Sequence, residues 1–357
     1  MSEIALIGDI AFNGIISSEP ESNGERFSKI VQFLNSSDLL VFANLETPVK
    51  VGEERNEYKK NIHSADPLVT ENLLKGFNIS CVALANNHIY DCKMSGLKAT
   101  IDILDRLNIA HTGAGWIPEH CDPVIVDKNN TRVGFIAYVD KNTNPKTEYF
   151  QEIYINYFNS EKAREDIKSL KAEVDIVICS IHWGVDYSYY PTPEQVTTAR
   201  NLVDAGADII MGHHTHTFQP FEKYKGSYIF YSLGSLTFGD YIREGKTEFQ
   251  ALFRKTKKSA IVKLDYDRTY LKFIPTRELI GNYVVIDKRN YEKWSQRKWL
   301  HYRISNSSGI IKLYYELYEK VIYRVYEYFF GYYKRPLKRL FEFSNLRKIK
   351  KLLLIFL

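Results

Sequence analysis

Short apolar runs alternating with stretches of helical spacing dominate the first two thirds of the chain. Residues 4–7, 39–43, 79–84, 133–138, 174–181 and 209–211 are mainly apolar, short and rich in Ile, Val and Leu, which predicts strands. Between them, residues 27–34, 67–77, 97–107, 161–170 and 193–204 predict helices; Pro67 stands near the start of one and Gly76 near its end. Further on, residues 228–231, 259–266 and 270–275 add β structure. Regular alternation of β and α units predicts a layered α/β fold. The character changes from about Gly281, where Tyr and Phe at mixed helical spacing fill residues 310–333 and a basic segment follows. The chain is therefore read as a domain over 1–280 and a helical, aromatic- and Lys/Arg-rich extension over 281–357.

Polar residues fall where the strands end. Residues 4–7 run into Gly8-Asp9, and 39–43 into Asn44-Leu45-Glu46. Residues 79–84 run into Asn86-Asn87-His88, 174–181 into His182-Trp183-Gly184, and 209–211 into Gly212-His213-His214-Thr215-His216. In open α/β sheets the carboxyl ends of the strands face the ligand crevice, so these side chains are expected to converge.

Composition adds little that competes with this pattern. At 357 residues with 45% hydrophobic and 25% charged residues, the chain is an ordinary globular protein that can bury a core without disulfides. The cysteines Cys81, Cys92, Cys121 and Cys179 form no CxxC pair, and Cys81 and Cys179 sit within predicted strands, which fits a reducing compartment. No basic, apolar leader precedes the first strand, so a cytoplasmic location is expected. The net charge of +5 is unevenly placed: Lys334, Arg335, Lys338, Arg339, Arg347, Lys348, Lys350 and Lys351 are opposed only by Glu342.

Taken singly, the polar residues have ordinary explanations. Asp9 after a glycine suits a turn, Asn87-His88 a capped turn, and His182 a satisfied core histidine. A carboxylate directly after a buried strand, as at Glu46, needs a partner. Three imidazoles within four residues, His213, His214 and His216, are rare outside metal or phosphate sites. Together, the carboxylates, amide oxygen and imidazoles, with no thiolate in these motifs, suit one or two divalent ions, Mn²⁺, Fe²⁺ or Zn²⁺. Two such ions would stabilise both the attacking and the leaving oxygen of an in-line phosphoryl displacement.

The series GDIAFNG (8–14), FANLETPV (42–49), ALANNHIYD (83–91), SIHWGVDY (180–187), GADIIMGHHTHTFQP (206–220) and IFYSLGS (229–235) resembles the CapA family of capsule and poly-γ-glutamate synthesis proteins, within the metallophosphoesterase superfamily. The resemblance covers roughly residues 4–280. It implies a four-layer αββα sandwich, with Asp9 on a first metal, Glu46 bridging, and Asn87 and His182 on a second. His214 would serve the second metal and His216 the first. It also implies that His88 protonates the leaving group or holds a phosphoryl oxygen. Asp91 is read either as the orienting partner of His88 or as a helix N-cap.

Three departures from that pattern bear on the site. Ala11 stands where the superfamily's Asp-x-His has its imidazole, a loss shared by CapA-like chains, which weakens the first position unless Asn13, Asn44 or water completes it. Asp186 replaces the usual Glu after HWG-x, and Ser235 the usual Asn of Ser-Leu-Gly-Asn.

The functional expectation is a metal-dependent hydrolase acting on a phosphoester in capsule or surface-polymer biosynthesis. The alternatives are hydrolysis or transfer at an amide of a γ-glutamyl polymer, and a non-catalytic metal-binding scaffold in a polymer synthesis or export complex. In the tail, Phe341, Phe343, Leu346, Ile349 and the run 352–357 lie among the cations. That segment is read as a docked helix with a solvated basic face, as a contact to an anionic membrane surface, and last as a nucleic-acid contact.

Overall fold

A computed structural model describes residues 3–243, 246–248, 258–287, 292–293 and 295–296; the aromatic stretch 310–333 and the basic, apolar tail lie outside them. The chain divides into two compact units, Met1–Arg297 and Lys298–Leu357, and every element described belongs to the first. In chain order, the elements that build its layers begin with β1 (Glu3–Ala11), α1 (Asn23–Leu34), β2 (Leu39–Leu45), α2 (Pro67–Gly76), β3 (Cys81–Ala83), α3 (Lys93–Arg106) and β4 (Ala110–Thr112). Next come β5 (Val124–Lys128), β6 (Thr131–Val139), α4 (Ser160–Lys171), β7 (Ile176–His182), α5 (Pro193–Asp204) and β8 (Ile209–His213). The series ends with β9 (Phe221–Tyr224), β10 (Ser227–Phe230), β11 (Ser235–Phe238), β12 (Lys258–Asp265), β13 (Leu271–Glu278) and β14 (Val284–Ile286).

The strands form two mixed sheets. The first runs β14-β13-β12-β1-β2-β3-β4, with β11 pairing onto β1, and the second runs β9-β10-β8-β7-β6-β5. Alternation along each strand divides the core. In the first sheet Ile4, Leu6, Leu40, Phe42, Val262 and Leu264 face Phe135, Ile176, Ile178, Ile209 and Phe230 of the second. Ala5, Ile7, Val41, Ala43 and Val82 point the other way, onto Phe27, Ile30, Leu74, Leu97 and Leu104 of α1, α2 and α3. The outer face of the second sheet packs on α4 and α5, whose Ile167, Leu170, Ala199 and Leu202 are buried. Each of the larger of these side chains, Val, Leu, Ile or Phe, contributes roughly 1.5–3 kcal/mol by leaving water. The order helix, sheet, sheet, helix is the four-layer sandwich that the sequence resemblance implies. Among the described residues, no helix is long and apolar enough to cross a membrane.

Helix entries follow local chemistry. Asp66 caps α2 by accepting from the Val69 amide at 2.9 Å, with Pro67 in the first turn where its missing N–H costs nothing. Thr192 and Gln195 form a capping box at α5. The helix α3 is capped by Cys92 without a side-chain bond, so Asp91 is not its N-cap.

At the end of β1 the register shifts between Leu6 and Asp9, after which Asp9 lies opposite Asn44 of β2 and Ser235 of β11. Gly8 makes this possible: a Cβ there would lie 1.8 Å from the Gly234 carbonyl oxygen, the same oxygen that accepts from the Asp9 amide at 3.0 Å. Substituting Gly8→Ala should therefore force β1 and the Ser232–Ser235 turn apart, costing about 1–3 kcal/mol as for other overpacked sites. A urea midpoint equal to that of the wild type would refute this close-approach account.

Candidate metal centre

The residues singled out in the sequence meet where the two sheets end together. Asp9 closes the regular part of β1 and Glu46 follows β2, both on the first sheet; His182 ends β7, and His214 and His216 follow β8, on the second. Register aligns the seams, with Asp9 beside Asn44 in one sheet and His213 beside His182 in the other. Asn87 and His88 stand in the loop after β3, which is shorter than the predicted strand 79–84.

One oxygen or nitrogen from each of Asp9, Glu46 and His216 lies within 4.8 Å of the others. His216 Nε2 and His182 Nε2 are each 3.9 Å from Glu46 Oε1, and His182 Nε2 is 2.9 Å from the Asn87 side-chain oxygen. His214 approaches Asp186 instead, Nε2 to Oδ1 at 3.3 Å, and its buried Nδ1 has no hydrogen-bond partner. His216 Nδ1 is occupied by Ser235 Oγ at 2.8 Å, which leaves Nε2 directed at Glu46. Ser235, the departure from the expected Asn, thus orients a ring of the cluster. His214 and His216 take φ of 84° and 53°, the left-handed region that non-glycine residues occupy at a cost of about 1–3 kcal/mol. The turn keeps both imidazoles in the seam despite that cost.

Burial shapes the electrostatics. Glu46 is fully buried and neither carboxylate oxygen has a hydrogen-bond partner. Burial, then the charges of Asp9 and Asp186, push it well above the ordinary carboxyl range. Burial also raises Asp9, but the hydrogen bond and charge of His213, the charge of His216 and the Asn44 amide outweigh it and hold Asp9 below its ordinary value. His182 is pushed well below the usual imidazole range, first by burial and then by its neighbouring imidazoles. A buried carboxylate is costly unless it is paired, and neither oxygen of this one is hydrogen-bonded. Oxygen and imidazole donors around orphaned carboxylate oxygens fit a divalent ion of the Mn²⁺, Fe²⁺ or Zn²⁺ type.

Beside this cluster His88 Nδ1 lies 2.6 Å from Asp91 Oδ2, and its ring packs edge-on against His63 at 4.2 Å. Lys59 Nζ sits 2.6 Å from Asp91 Oδ1 and 3.1 Å from His88 Nδ1, and donates to the Asn87 carbonyl. The His63 amide donates to Asp91 Oδ2 at 2.7 Å. Burial, then Lys59, pushes His88 well below the usual imidazole value. Lys59 and His63 come from the aperiodic stretch between β2 and α2, where no motif marks them. The Asn13 side chain accepts from Gly239 N at 2.9 Å through its oxygen, and its amide nitrogen lies 3.2 Å from His63 Nδ1. Asn44 donates to Asp9 Oδ1 at 2.9 Å and lies 3.3 Å from His182 Nδ1.

The profile of the bacterial capsule synthesis protein PGA_cap matches residues 3–240. The capsule biosynthesis protein CapA of Bacillus anthracis is 30% identical over 244 residues, covering 66% of this chain and 59% of its own length. A probable polyglutamine synthesis accessory protein of Mycobacterium tuberculosis (strain ATCC 25618 / H37Rv) is 28% identical over 216 residues, covering 57% of this chain and 56% of its own. The chain spans roughly three fifths of the length of the curated relatives it matches. Among solved structures, a putative 5'-nucleotidase from Staphylococcus aureus is similar at 14% identity and a TM-score of 0.47, over 76% of this chain and 53% of that one.

Two outcomes are expected of the cluster. Mn²⁺ at about a hundred times its dissociation constant should stabilise the fold by about 2.7 kcal/mol, read as a raised Tm that a chelator reverses. Glu46→Gln should leave the metal-free Tm unchanged or raised, because it removes a buried carboxylate without a partner. In calorimetry the same variant should lose more than the ~10–100-fold in Mn²⁺ affinity typical of changes to outer partners. A large fall in metal-free Tm would mean that the carboxylate has a structural partner.

Proposed function

The chain belongs to the bacterial capsule synthesis protein family PGA_cap, and from that premise we propose that it is a metal-dependent hydrolase of the metallophosphoesterase type, acting on a phosphoester in surface-polymer biosynthesis. The observation that carries the reading is Glu46: two buried oxygens without a hydrogen-bond partner, in ligand reach of Asp9 and His216. Asp9, Glu46 and His216 would hold one ion, and Asn87, His182 and His214 a second with Glu46 shared. When bound, such ions supply Lewis-acid stabilisation of charge on the phosphoryl oxygens.

The protein's own groups account for the proton. With the proton of neutral His88 on Nδ1, the 2.6 Å approach to the Asp91 carboxylate becomes a hydrogen bond and Nε2 keeps its lone pair. The charge of an anionic phosphoester favours uptake of a proton from solvent at Nε2, and that proton would pass from Nε2 to the leaving oxygen as its bond to phosphorus breaks. Burial raises Asp91 and the Lys59 ammonium beside it opposes that rise, while the carboxylate holds the ring at Nδ1 and the edge-on contact with His63 restricts rotation. His88 is thus the catalytic residue, with Asp91 and Lys59 positioning it.

A second reading, a metal-binding scaffold without turnover, is favoured by the accessory role in the printed name of the Mycobacterium tuberculosis relative. Phosphomonoesterase and phosphodiesterase assays with added Mn²⁺, run alongside metal content, separate the two. His88→Ala should retain wild-type metal content and lose about 10²–10⁴-fold in kcat, the usual share of a general acid. Lys59→Met should lower kcat with less effect on KM. Metal without turnover on either substrate class favours the scaffold, and a wild type that binds no Mn²⁺ refutes both readings.

A further inference from the structure

His213 is the one imidazole of the His-rich turn that the proposed chemistry leaves unused, yet it is fully buried at the end of β8. Its Nδ1 lies 2.8 Å from Asp9 Oδ1, a close approach outside hydrogen-bond alignment, and neither ring nitrogen has a hydrogen-bond partner. It does not belong to the side chains whose donor atoms converge, which are Asp9, Glu46 and His216. The Asn44 amide also donates to Asp9 Oδ1, at 2.9 Å. Both neighbours therefore approach the same oxygen of Asp9, and the other, Oδ2, accepts from the His214 amide at 3.2 Å and lies 3.7 Å from His216 Nδ1. On β1 itself the position two residues after Asp9 is the buried Ala11, which offers no nitrogen.

We propose that His213 is a positioning residue for the metal centre: from the opposite sheet it grips Asp9 Oδ1 and so presents Oδ2 to the ion. This rests on the metal-centre reading and deepens it. Orienting partners of this kind commonly account for ~10–100-fold in metal affinity. The geometry also says which substitution should restore the role. An Asn amide nitrogen occupies nearly the place of an imidazole Nδ1, whereas Leu fills similar space with no donor.

The test uses the full chain as wild type, His213→Leu and His213→Asn, with Mn²⁺ affinity from calorimetry and the visible absorption of the Co²⁺-loaded forms. His213→Leu should bind Mn²⁺ at least about tenfold more weakly, and His213→Asn should recover most of that loss. The Co²⁺ spectrum of His213→Leu at saturation should match the wild type, because no donor to the ion has been removed. Equal Mn²⁺ affinity in wild type and His213→Leu overturns the inference and leaves the metal centre standing. A changed Co²⁺ spectrum overturns it too, by making His213 a ligand. Should His213→Leu fail to fold, ¹⁵N-histidine NMR of the Zn²⁺-loaded wild type decides: a proton on His213 Nδ1 supports the positioning role, and a bare Nδ1 overturns it. A wild type that takes up no Mn²⁺ removes the metal centre and this inference together.

Discussion

Two carboxylates buried against each other are the constraint around which the site is built. Asp9 and Glu46 are both fully buried at adjoining strand ends, and each raises the cost of charging the other. The fold treats them unequally. Asp9 has His213, Asn44 and the His214 amide to stabilise its charge, at 2.8, 2.9 and 3.2 Å. Neither Glu46 oxygen has a hydrogen-bond partner, and in the low-dielectric seam between the sheets its charge is costly. The left-handed histidines, the serine on His216 and the glycine pressed against the Gly234 carbonyl all serve to keep donors around that one unsatisfied group.

A large share of this was legible in the sequence because strands buried on both faces read as continuous apolar runs, and polar residues at their ends stand out against them. The runs 39–43, 174–181 and 209–211 correspond closely to β2, β7 and β8. The polar side chains borne on such ends, Asp9, Glu46, His182, His214 and His216, are named in the sequence and are brought together by the fold. What stayed hidden depends on contacts without period. Lys59 and His63 lie in an irregular segment where a charged residue looks like solvated surface, and only tertiary packing carries them to Asp91 and His88. The shift of register at Asp9 was equally invisible, since it arises from the meeting of β1 with β2 and β11 rather than from β1 alone. Short strands such as β5 and β9, half-buried at a sheet edge, carry too little apolar pattern to be told from loop.

The choice between Asp91 as cap and Asp91 as partner of His88 shows how an ambiguity closes. Both roles suit an aspartate just before a helix. The carboxylate instead gathers Lys59, His88 and the His63 amide, and the helix begins without side-chain help. A charged hydrogen bond inside the protein is worth more than a cap at the surface, so the buried option wins.

Asn44 has a consequence for rigidity. Its amide group touches Asp9 on its own sheet and His182 on the other, and it accepts from Asn86 at 3.2 Å. A single side chain thereby rivets the two halves of the sandwich at the point where their donors meet. The same rivet resists sliding of one sheet past the other, so the side chains that the two sheets contribute keep their spacing.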